Sequence, residues 1–168
     1  MTNQINQIQA TYNLLEDRIR LTIKTVEGHV YLAWITRRYL NLLLPVLHGQ
    51  HPTTGDAFFD EKSTLVQQAE KEQSVLHGDY HSQYEAPENP DYPLGDEPIL
   101  LTQITFKDID TENALFVLAP ESGPGIQLPF NPELLGALLK IFAQAMQAAH
   151  WQLEMNTILE MPNEARLQ

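Results

Sequence analysis

The chain has 168 residues, 43% of them apolar, a formal net charge of -12, a pI near 4.7 and no cysteine. That length and apolar content suit one domain, 1–168, with a real core, whereas so acidic a balance argues against general nucleic-acid binding, in which Lys and Arg neutralise phosphate. Without cysteine there are no disulfides, thiolate metal sites or cysteine nucleophiles, and without a signal-like start or a run of roughly 18 apolar residues the expectation is a soluble, cytoplasmic protein with no membrane partner.

Ile8, Ala10 and Tyr12, then Ile19, Leu21 and Ile23, alternate with polar neighbours, the pattern of half-buried strands. Gly28 marks a tight turn, and Val30, Leu32 and Trp34 then alternate with Tyr31, Ala33 and Ile35. The prediction is a three-stranded antiparallel meander. At Thr36, a capping residue, the period changes: Tyr39, Leu40, Leu43, Leu44 and Leu47 fall at helical spacing, and Pro45 should kink or end the helix before His48-Gly49.

Residues 49–59 hold turn signals, after which Asp60 or Ser63 caps a predicted surface helix running to about Leu76. Residues 77–98, with four prolines, read as an irregular acidic loop. Charge divides unevenly, +2 over 1–48, -9 over 49–98 and -5 over 99–168, so the middle reads as a solvated insert. Residues 99–107 predict one strand with Leu100, Thr102, Ile104 and Phe106 on one face. The apolar stretch 114–119 predicts a central strand, and Gly123-Pro124-Gly125 turns the chain into a strand over 126–130. Asn131-Pro132-Glu133 opens a helix over 132–150 whose apolar residues cover more than one stripe, as in a helix packed on two sides.

A shift of 95 positions superposes Gly28 on Gly123, Ile35 on Phe130, Thr36 on Asn131 and Leu43 on Leu138. The expected fold class is therefore α+β: two antiparallel three-stranded meander-plus-helix units, 1–48 and 99–150, related by an internal duplication. A surface helix and acidic loop (49–98) lie between them, and an apolar tail (151–168) follows. In topology alone this order resembles the PUR and Whirly single-strand-binding folds, from which the chain departs in strand number and acidity.

Two arginines, Arg37 and Arg38, follow Thr36 in a first helical turn, where they oppose the helix dipole. Free N–H groups and two guanidinium forks suit a phosphate, a carboxylate or an acidic partner; the alternative is pairing with Glu16, Asp17 or the middle loop. Strand alternation places Arg18, Arg20 and Lys24 on one face, an anion or single-strand surface if open. His77 and His81 have the i, i+4 spacing of a metal pair, with Gly78 between them. Tyr80, Tyr84 and Tyr92 either contact a partner or anchor the acidic loop on its own domain. Trp151, Leu153, Met155, Ile158 and Leu159 form an interface with a second copy or fold back on the same chain.

No phosphate loop, nucleophile elbow or HExxH motif is present, and no cofactor is implied. The reading is a non-enzymatic interaction module, homodimeric through its last helix and tail. Anion or single-strand binding is the alternative, and a His-based metal site the third reading.

Overall fold

The computed structural model describes residues 4–51 and 83–151. The alternating segments form β1 (Ile5–Asn13), β2 (Arg18–Thr25) and β3 (Val30–Ile35), paired antiparallel with Ala10 opposite Leu21 and Leu21 opposite Ala33. Ile19, Leu21, Ile23, Ala33 and Ile35 point to the core and are buried. Gly28, at φ +92°, makes the second turn in a conformation that costs other residues strain.

The helix α1 (Arg37–Leu47) starts where the period changes. Thr36 is extended, and its hydroxyl oxygen accepts the Tyr39 N–H at 3.1 Å. Pro45 has no N–H for the Asn41 carbonyl four residues back, and α1 ends two residues later. There the Gly49 and Gln50 N–H groups close onto the carbonyls of Val46 and Pro45.

The single strand expected over 99–107 is divided between two sheets. β4 (Ile99–Leu100) lies parallel to β3, Ala33 opposite Ile99, and completes a four-stranded sheet of order β1-β2-β3-β4 where three strands were expected. β5 (Gln103–Lys107) belongs to a second, three-stranded antiparallel sheet with β6 (Leu115–Ala119) and β7 (Ile126–Pro129), order β5-β6-β7. The change takes one residue step: the Leu101 N–H donates to the Trp34 carbonyl and the Thr102 N–H to the Ala119 carbonyl. Successive backbone groups of an extended chain point to opposite sides, so one segment bonds both sheets. As a result Leu101 is the core residue, 1% exposed, and Leu100 is 46% exposed.

The second helix, α2 (Pro132–Ala149), has the predicted start: the Asn131 side-chain oxygen accepts the Leu134 N–H at 2.8 Å, with proline first and Glu133 in the first turn. It packs on β1 and on α1. One apolar cluster joins Leu21 of the first sheet, Phe116 of the second, Leu43 of α1 and Phe142 of α2. The described residues are thus α+β, with two sheets and two helices. Among them no helix is long and apolar enough to cross a membrane. The surface helix predicted to end near Leu76 lies outside the described residues, as do His77, His81, Leu153, Met155, Ile158 and Leu159.

Candidate functional site

Where β3 passes into α1, a groove of about 550 Å³ opens between the first two turns of the helix and the segment that changes sheets. Leu42, Leu100 and Leu101 give it an apolar lining; Thr36, Arg38, Asn41 and Thr102 supply its polar groups. Arg38 is exposed and has no ion-pair or hydrogen-bond partner among the described residues. Tyr39, the other titratable residue of the lining, is buried and donates its hydroxyl to the Gln103 carbonyl at 3.0 Å. Burial pushes its pKa well above the ordinary tyrosine value. Arg38 and Tyr39 are thus the titratable residues that line this groove.

Arg37 turns the other way. Its guanidinium lies 5.5 Å from the ring centroid of Trp151, the residue just after the left-handed cap His150. Trp151 is buried at 4% exposure against its own chain: its indole N–H donates to Asp17 at 3.0 Å and its ring meets Tyr12 edge-on at 5.9 Å. Tyr12 also donates to Asp17, at 2.6 Å. These two donors, the Tyr12 hydroxyl first, hold the Asp17 carboxyl below its ordinary pKa, and the same bond raises that of Tyr12. The network fixes the β1–β2 turn, which carries Leu14 and Leu15 outward at 79% and 96% exposure.

Arg18, Arg20 and Lys24 share the outer face of the first sheet, as alternation requires; their own chain engages Arg18 and Lys24, while Arg20 stays exposed. The Arg18 guanidinium stacks 3.8 Å above Trp34 and pairs with Glu16 at 2.9 Å. Residues 83–98 run across the sheet as an acidic strap. Lys24 donates to the Glu85 carbonyl and lies 5.6 Å from the centroid of Tyr84; Gln7 bonds the backbone of Gln83 and Glu85; Val30 donates to the Asp91 carbonyl. His29 reaches the Asp91 carboxylate at 2.7 Å. Tyr84 is thereby an anchor of the strap, its pKa raised by burial and then by Tyr92, while Tyr92 stays 37% exposed. His51 lies beside Phe106, their rings 5.9 Å apart.

Thr36 and Arg38, singled out from the sequence, line this groove together with Leu100, Leu101 and Thr102, which were not and which reach it only because the strand changes sheets. The acidic stretch is solvated and irregular over 83–98, as expected, but its anchoring on the first sheet was not foreseen. One signal was available: β3 is apolar on both faces, and a strand with Val30, Leu32 and Trp34 opposite Tyr31, Ala33 and Ile35 needs cover on both. No protein-family model matches the chain, and no curated protein or solved structure matches it either.

Proposed function

We propose that this chain is a non-catalytic, cytoplasmic protein-interaction module that works as a homodimer and offers the groove at the start of α1 to a partner segment. One observation carries the partner site: an apolar lining lies beside an arginine that lacks a counter-charge among the described residues, in a chain of net charge -12. Two first-turn arginines oppose the helix dipole, and a carboxylate bound at Arg38 removes that conflict. The segment that fits places an aliphatic or aromatic side chain next to Asp or Glu. Panning a random-peptide display library on the protein should enrich such sequences, and Arg38→Glu should abolish their capture; equal capture by the variant overturns the reading.

Single-strand binding on Arg18, Arg20 and Lys24 is the weaker alternative, because Glu16, Trp34 and the acidic strap already engage Arg18 and Lys24 and leave Arg20 alone exposed. We also read the two units as copies of one ancestral unit. In support, Leu21 opposite Ala33 becomes Phe116 opposite Leu128 under the 95-residue shift, and Gly28 and Gly123 share positive φ. The first hairpin slips by one residue: Phe106, not Thr105, lies opposite Phe116.

A further inference from the structure

The first sheet has two edge strands, the two-residue β4 and the long β1, and among the described residues only one edge of β1 is used, by β2. No backbone group on its other edge has a hydrogen-bond partner among those residues. Open edges invite pairing with another chain, and monomeric proteins guard them with charged side chains, proline, bulges or very short strands. β1 is nine residues long and contains no charged residue and no proline. Its single irregularity lies at the start, between Ile5 and Gln7, and leaves residues 7–13 regular.

We propose that β1 pairs antiparallel with β1 of a second copy, fusing two four-stranded sheets into one. This deepens, and rests on, the homodimer part of the reading above. Self-complementarity selects a second copy: β1 is neutral along its whole length, so it adds no like-charge contact at the edge to the general repulsion between two chains of net charge -12, and its own sequence supplies the matching partners. Pairing about a twofold axis at Gln9 sets Ile8 opposite Ala10 and Gln7 opposite Thr11, apolar with apolar on the core side and polar with polar outside. The same axis keeps both core faces on one side. Because α2 packs on β1, it brings the two α2 helices alongside each other. The exposed residues near the end of α2, Ala143, Gln144, Gln147 and Ala148, are also uncharged.

The test is the mass in solution of the full chain and of Gln9 variants, by light scattering at micromolar concentration. Gln9 is exposed, so Gln9→Lys and Gln9→Glu leave the core untouched, and unchanged circular dichroism verifies the fold. The wild type should show twice the 19.1 kDa chain mass, each variant the single mass, and an equimolar mixture of the two variants the double mass again. A wild-type monomer overturns both the edge pairing and the homodimer reading. A dimer that survives Gln9→Lys but falls apart with Gln144→Glu overturns the edge pairing alone and leaves a helix-mediated dimer. Loss of the dimer on truncation after Trp151, with Gln9→Lys still dimeric, assigns the contact to the tail and likewise overturns it.

Discussion

Thr36 and Asn131 cap their helices alike, each with extended backbone and a side-chain oxygen that accepts the N–H of the third helical residue, yet the next two residues differ in kind. In α2 they are Pro132 and Glu133, both of which favour a helix start; in α1 they are Arg37 and Arg38, both of which oppose it. Arg37 gains from the ring of Trp151 and from the nearby Asp17 carboxylate. Arg38 gains from nothing in the described part of the chain. The same two helix positions thus oppose the helix start in α1 and favour it in α2, and that contrast is the basis of the binding proposal for Arg38.

The largest effect expected from this pairing is in the core, where the units do not behave as separate bodies. Leu21 and Phe116 occupy matching positions in the two sheets, are 0% exposed, and belong to one apolar cluster. Phe116→Ala should cost about 3–5 kcal/mol and Leu21→Ala about 2–5 kcal/mol. Each should move a single unfolding transition followed by fluorescence and circular dichroism in urea. Two separable transitions would break the comparison, because each sheet would then have its own core.

Much of this architecture was legible because its determinants are local. Alternation at Ile19, Leu21 and Ile23 and the caps Thr36 and Asn131 depend on neighbours a few positions away. The groove was not, because part of its lining comes from the segment at Leu100 to Thr102, whose course is set by the distant carbonyls of Trp34 and Ala119. A parallel pairing as short as that of β3 with β4 leaves no period of its own in the sequence. Arg38 could be picked out from its position in the first turn, but its lack of a partner among the described residues is a three-dimensional fact. Of the acidic residues named as possible partners, Glu16 pairs with Arg18, and Asp17, held by Tyr12 and Trp151, lies near Arg37 and not Arg38.

A smaller effect sharpens the contrast between the helix starts. Replacing Arg38 with glutamate gives α1 the first-turn acid that α2 has at Glu133. Removing the unfavourable charge and adding the favourable one should each contribute about 0.3–1 kcal/mol at low ionic strength, and added salt should shrink the gain. Urea denaturation of Arg38→Glu should therefore show a more stable protein, although the same variant loses peptide capture. Destabilisation instead would mean that Arg38 is a structural residue and that the difference between the two helix starts says nothing about binding.

The smallest expected effect concerns the two first turns. Asp17 and Asp108 both adopt left-handed backbone, φ 51° in each, but are used differently. Asp108 offers its backbone carbonyl to the Thr111 N–H and hydroxyl, whereas Asp17 offers its carboxylate to Tyr12 and Trp151 across the fold. Those donors hold the Asp17 carboxyl below the 3.8 of a free aspartate, so the folded chain keeps it ionised where the unfolded chain has begun to protonate it. Its contribution is complete above that ordinary value and is lost as pH falls through the lower, folded one. Neutral and mildly acidic solutions should leave the network intact. Carbon-detected NMR titration of Asp17 should give a midpoint below the ordinary value in wild type and a higher one in Tyr12→Phe, where the strongest donor is gone. An unchanged midpoint in that variant would remove Tyr12 as the cause and leave the Trp151 N–H to account for it. The turn that presents Leu14 and Leu15 would then depend on the start of the tail rather than on its own strand.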